Sequence, residues 1–307
     1  MVEMSINQIK HPKHLECVDI LSFDASDGLI LYSMLSKPKG VTDKAILHIH
    51  GLGGSFYGSN SIPEISAEAK RRGIAFMSQL TRGSYVIEEF GYRSGNRELL
   101  AGSALERFED CVYDIDGAIR SLRKMGFRKI FLEGHSTGCQ KILYYMNSKK
   151  AKNSKFVTAM ALISPVDDHS YDLYEMGKKS YFKLISIAKR ARGNAILMPT
   201  KGTGYMEKLI GPERFLSTAD LKNPEAKALY YDGKLDYVAG LKKPLFVAFG
   251  ENDELMKEID VRKATDIISK AYAGKKFRSV ILKGTGHTFK GRRKGLAKAL
   301  LKFYSSI

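Results

Sequence analysis

One five-residue turn constrains this chain more than any other feature. The apolar run Ile130-Phe131-Leu132-Glu133 leads into Gly134-His135-Ser136-Thr137-Gly138, and a helical stretch, Thr137 to Asn147, follows. This is G-x-S-x-G between a strand and a helix, the context that gives the pattern meaning. The flanking glycines remove Cβ atoms that would clash where strand and helix approach, and Ser136 is pushed into the open. Its hydroxyl then lies at a helix N-terminus, where the backbone dipole and free N–H groups favour a developing anion. The turn therefore asks for a sheet with helices packed on it.

The rest of the chain supplies one. Short runs rich in Ile, Val, Leu and Phe alternate with longer amphipathic stretches, the signature of strand and helix units around a largely parallel sheet. Val18 to Phe23 and Leu29 to Leu35 flank Ser26-Asp27-Gly28 and read as an antiparallel hairpin. Ala45 to Ile49, Ile74 to Gln79, Ile130 to Glu133, Val157 to Ile163, Leu245 to Phe249 and Ser279 to Leu282 complete eight expected strands. Helices are expected at Ser61 to Arg72, Leu105 to Lys124, Thr137 to Asn147, Lys257 to Ala271 and Gly291 to Tyr304. The interval from Asp168 to Lys243 breaks the rhythm, being polar, basic and punctuated by Gly and Pro. It reads as a cap, 168–243, inserted after the sixth strand into a core made of 1–167 and 244–307.

A serine hydroxyl is a poor nucleophile without a base. His11 and His14 lie near the N-terminus, His48 and His50 flank the end of the third strand, His135 sits inside the turn, and His169 opens the cap. His287 follows the last strand in Gly284-Thr285-Gly286-His287, where a Gly-rich loop can swing imidazole across the sheet edge. It is the expected base. An acid must orient that imidazole, and chain order places it between Ser136 and His287. Asp253, in Gly250-Glu251-Asn252-Asp253-Glu254, is the preferred residue. Glu251 and Glu254 are close rivals, and Asp167 or Asp168 after the sixth strand is a second possibility. Acyl chemistry also needs donors aimed at an oxyanion. His50-Gly51-Leu52-Gly53-Gly54 follows the third strand, so the Leu52 amide is expected to pair with that of Thr137, while Gly51 and Gly53 let backbone approach substrate. His50 is expected to hold this loop rather than act as a base.

Composition narrows the class. At 307 residues, with 44% hydrophobic and 27% charged residues, the chain is long and apolar enough for a real core, which excludes disorder as its main theme. Three cysteines, Cys17, Cys111 and Cys139, are too few and too dispersed for a disulfide scaffold or zinc cluster. Met1 to Lys13 lacks the apolar core of a signal peptide and no stretch approaches 18 apolar residues, so a cytoplasmic protein without a membrane span is expected. The basic excess behind the net charge of +17 is spread widely, with local concentrations at Lys178 to Arg192 and Lys290 to Lys302. Basic clusters of this kind bind nucleic acid or anionic lipid when a recognition motif accompanies them. None does here, so a solvated surface is expected and no specific nucleic-acid partner. No metal or cofactor motif occurs, and oligomeric state is not legible.

HGLGG, GHSTG, GENDE and GTGH, in this order after successive strands, resemble the α/β-hydrolase superfamily over nearly the whole chain. More narrowly, Gly134 to Gln140, the Gly83 to Gly95 stretch with Ser84 and Tyr85, Ser164 to Asp167, and the pieces Met198-Pro199 and Arg214 to Ser217 resemble a family of fungal and plant hydrolases that includes fusarinine-type siderophore esterases. Lys141 stands where that family's pattern carries an acidic residue. The resemblance implies a mostly parallel eight-stranded sheet with helices on both faces. It also implies a serine hydrolase acting on a small-molecule carboxylic ester through an acyl-enzyme, with siderophore esters, thioesters or peptides as alternative substrates. A basic nucleic-acid-binding module on the same fold is the non-enzyme alternative.

Overall fold

The computed structural model describes residues 18–58, 61–191 and 209–307; His11, His14, Cys17, Arg192 and the Met198-Pro199 pair lie outside these. Eight strands form one sheet: β1 (Val18–Asp24), β2 (Ile30–Ser36), β3 (Lys44–Ile49), β4 (Ala75–Gln79), β7 (Lys129–His135), β8 (Val157–Ile163), β9 (Leu245–Gly250) and β10 (Phe277–Leu282). Their spatial order is β1-β2-β4-β3-β7-β8-β9-β10. The first two pairings are antiparallel and every later one is parallel. The interior strands are apolar on both faces because helices cover both. Helices α2 (Cys111–Lys124), α3 (Thr137–Asn147) and α9 (Val261–Ala271) pack on one side, and α1 (Ile62–Arg71) and α10 (Arg293–Ser305) on the other.

A short hairpin, β5 (Glu88–Gly91) with β6 (Glu98–Ala101), stands apart from this sheet. The expected helix over Leu105 to Lys124 starts later than its pattern suggests. The Leu105 and Glu106 amides turn back onto Gly102 O, a single 3-10 turn covers Phe108–Asp110, and the α-helix begins at Cys111.

Between β8 and β9 the described residues fold into five helices: α4 (Asp168–Met176), α5 (Lys178–Arg190), α6 (Pro212–Ala219), α7 (Pro224–Ala228) and α8 (Asp236–Ala239). The Gly and Pro residues that read as punctuation stand at helix ends. Gly177 closes α4, Gly211-Pro212 opens α6 and Pro224 opens α7, each where the residue's backbone is suited to a cap. Met176, Tyr181, Leu184, Ala188 and Phe215 make a small core of their own. Leu229, Tyr231, Leu235, Val238 and Leu241 instead pack into the core beneath the sheet.

Candidate active site

Ser136 lies between β7 and α3 with φ 56° and ψ −126°, a conformation that costs a non-glycine residue of order 1–3 kcal/mol. The surroundings enforce it. Strand β7 is held centrally, the Ser136 amide donates to Ile163 O at 2.9 Å, and α3 must start at once. Helix α3 lies so close to the end of β3 that a Cβ on Gly138 would stand 2.3 Å from Ile49 O, so only glycine fits there. Ser136 Oγ has no hydrogen-bond partner among the described residues and is half-buried.

His287 lies in the loop between β10 and α10, fixed by backbone and side chain together. Its amide donates to Glu254 Oε2 at 2.9 Å, and its carbonyl accepts from Ser164 Oγ at 3.0 Å and from His135 Nε2 at 3.2 Å. The residue beside Ser136 thus touches the residue proposed as its base. His287 Nδ1 lies 3.0 Å from each carboxylate oxygen of Asp253. Facing a carboxylate, Nδ1 carries the hydrogen, which leaves Nε2 as the imidazole's lone-pair nitrogen.

The rival acids are engaged elsewhere. Glu254 holds the His287 backbone, and Glu251 accepts from Gly284 N at 3.2 Å and Arg262 Nη2 at 3.3 Å. Asp167 caps α4, accepting from Ser170 N at 3.0 Å, Ser170 Oγ at 2.7 Å and Tyr231 N at 3.2 Å. Asp168 accepts from Gln140 Nε2 at 2.7 Å, and burial pushes its carboxyl well above the usual range, with Glu225 adding to the effect.

The loop after β3 crosses directly over the turn. A Cβ on Gly51 would lie 2.9 Å from Ser136 Cβ and 3.5 Å from its Oγ. The Leu52 and Thr137 amides have no acceptor among the described residues; that of Thr137 belongs to the first turn of α3, where helix geometry leaves N–H groups unpaired. His50 is fully buried, and Nδ1 donates to Gly51 O at 2.7 Å. Burial, aided by the Lys141 charge, lowers its pKa to about 3, so it is neutral. His135 is likewise held down to about 3 by burial and by His287. Gly53 bridges to Ser84, which ties this loop to the segment after β4.

Sequence reasoning missed a buried polar cluster beneath the loop: Thr81, Ser84, Glu106 and Lys141, with Arg214 of α6 and Glu225 of α7. Its one visible trace was the lysine at position 141, among the apolar residues of α3. Among the described residues no group of three or more His, Cys, Asp or Glu is placed to hold a metal ion, and no helix is long and apolar enough to cross a membrane. Cys111 and Cys139 are free and buried, and burial pushes both thiols up.

Sheet order, the parallel pairing of its interior strands and the strand-turn-helix at the sheet's centre define an α/β-hydrolase fold. Solved structures share it over nearly their full length. The siderophore hydrolase EstB of Aspergillus fumigatus is 16% identical, with 96% of this chain and 99% of that one covered and a TM-score of 0.72. A soluble variant of Saccharomyces cerevisiae monoglyceride lipase is 14% identical, with 96% and 97% covered and a TM-score of 0.64. Est1E of Butyrivibrio proteoclasticus, bound to ferulic acid, is 17% identical, with 92% and 98% covered and a TM-score of 0.61. No curated protein is significantly similar to the chain. Within the fold class, the chain belongs to the family described as "Protein of unknown function (DUF1749)", whose model matches residues 21–304.

Proposed function

We propose that this protein is a serine hydrolase of carboxylic esters. The observation that carries the reading is Ser136, strained at a helix N-terminus beneath the Gly51 loop, with its neighbour His135 bonded to His287, whose imidazole Asp253 holds. In this mechanism His287 Nε2 takes the Ser136 proton as Oγ attacks the ester carbonyl. The oxyanion lies between the Leu52 and Thr137 amides, and the imidazolium is stabilised by Asp253. His287 then protonates the leaving alcohol, an acyl group remains on Ser136, and water, activated by the same imidazole, releases the acid.

Esters are favoured over other acyl substrates because esterases and a lipase recur among the structural neighbours. Siderophore esters are the second reading, supported by EstB and its TM-score of 0.72. The helices between β8 and β9 are the proposed specificity cap. A cavity of about 310 Å³ opens between α4, Tyr230 and the Leu255–Ile259 segment. It flanks the acid loop but includes neither Ser136 nor His287, so it is not the reaction chamber.

The test is labelling by a fluorophosphonate, followed by p-nitrophenyl esters of increasing acyl length, a thioester and a peptide amide. Modification of Ser136 with ester turnover above the other two is expected. Absence of labelling on folded protein would refute the reading. Submicromolar, steeply salt-dependent DNA binding without turnover would establish the nucleic-acid alternative instead.

A further inference from the structure

Lys141 belongs to the helix that carries the elbow, yet its side chain is fully buried. Its ammonium lies 2.7 and 3.0 Å from the two oxygens of buried Glu106. Arg214, on cap helix α6, stands 3.7 Å from the same carboxylate and pairs with Glu225 of α7. Apolar side chains of similar volume often serve stability as well as such a pair, so stability alone is a weak account of it.

The contacts of Lys141 lead to the oxyanion loop. Besides Glu106, Nζ reaches Thr81 Oγ1 at 3.4 Å, and Thr81 Oγ1 is 3.1 Å from His50 Nε2. Ser84 Oγ at 2.8 Å and the Thr81 amide at 3.3 Å face the same nitrogen. An amide can only donate, so Nε2 is the acceptor and Nδ1 bears the hydrogen. That hydrogen goes to Gly51 O, which the Gly54 amide also holds at 3.1 Å. Gly51 C=O and Leu52 N–H belong to one planar trans peptide, so fixing the first fixes the direction of the second.

We propose that Lys141 is a positioning residue for the oxyanion loop, keeping His50 in the neutral Nδ1–H form that aims the Leu52 amide at the reacting carbonyl. The inference rests on the serine-esterase reading. The charged and titratable groups facing His50 are Lys141 from α3, Glu106 from the segment before Phe108, His48 from β3 and His135 from the elbow. Burial opposes protonation of His50 most, the Lys141 charge adds to it, and Glu106 favours the proton. Removing the lysine takes away the second of these barriers while Glu106 still favours the proton, so His50 protonates more readily. A proton at Nε2 would point at the Thr81 N–H, and the loop must then rearrange.

The experiment compares wild type, Lys141→Met, Lys141→Met with Glu106→Gln, and Thr81→Val. Thr81→Val leaves the ion pair whole and decides the matter should Lys141→Met fail to fold. Lys141→Met and Thr81→Val are expected to lower kcat roughly ten- to hundredfold, less than the loss of an entire oxyanion donor. KM should change little, while affinity for a trifluoromethyl ketone, whose adduct places an oxyanion in the hole, falls in parallel with kcat. Histidine nitrogen NMR should find His50 neutral and Nδ1-protonated in wild type down to about pH 5. In Lys141→Met it should titrate at higher pH, and Glu106→Gln should reverse that change. Wild-type kcat, ketone affinity and His50 resonances in folded Lys141→Met or Thr81→Val would overturn the proposal. Should wild type lack esterase activity, the enzyme reading falls, and the NMR arm still decides whether Lys141 governs His50.

Discussion

Ser136→Ala is expected to lower kcat on p-nitrophenyl esters by on the order of 10⁵- to 10⁶-fold, with a melting temperature within about 2 °C of wild type. The two halves of this expectation come from different features. The rate falls because the acyl-enzyme route needs Oγ, and what survives is only the catalysis that binding and the oxyanion donors give to attack by water. The fold survives because alanine keeps Cβ, so the φ of 56° is neither relieved nor worsened, and because Oγ makes no hydrogen bond among the described residues. Steady-state turnover and thermal unfolding on the same preparation check both. Ester hydrolysis at the wild-type rate in Ser136→Ala would place the nucleophile elsewhere.

The second large effect separates two aspartates. Asp253→Asn should lower kcat by roughly 10⁴-fold, because an amide can present N–H to His287 Nδ1 and favour the tautomer whose Nε2 is already protonated and cannot act as a base. Asp167→Asn should leave kcat within severalfold. Asparagine is nearly as good a helix cap as aspartate and keeps the Ser170 amide bond through its one carbonyl oxygen; the acceptor lost to the Tyr231 amide costs stability, not chemistry. The pH profile adds a further check, since Asp253→Asn should regain activity at high pH where the tautomer problem eases through hydroxide. Collapse of activity in Asp167→Asn, with Asp253→Asn active, would move the acid to the end of β8.

Most of this architecture was written locally. The apolar runs that became β3, β8 and β9 are bounded by turn residues, so each strand was legible within one or two residues. The hairpin β5–β6 was not, because Glu88–Gly91 and Glu98–Ala101 are four residues each and half of the first is glutamate. Three acids within Glu251 to Glu254 kept the acid open in sequence. Three dimensions separate them: Gly250 approaches the Thr285-Gly286 backbone so closely that a Cβ there would lie 2.3 Å from Gly286 O, and this contact puts Asp253 beside His287. The cluster beneath the loop after β3 left only Lys141 as a local signal. Glu106, Lys141 and Arg214 meet only through the topology, and nothing about a lone lysine in a helix names its partner in advance.

Among the described residues five non-glycine positions hold positive φ: Tyr85, Ser136, Ser164, Leu235 and Phe289. In four of them the strained residue's own side chain gives something back to the fold. Leu235 and Phe289 are buried, which contributes about 1.5–3 kcal/mol apiece and offsets the backbone cost. Ser164 Oγ donates to His287 O, and Tyr85 donates to Tyr57. Ser136 has no such compensation. Glycine carries no steric penalty in this backbone region, so replacing Ser136 with it would stabilise the fold. On the proposed function, a relative with glycine at this position would have exchanged ester turnover for a firmer fold.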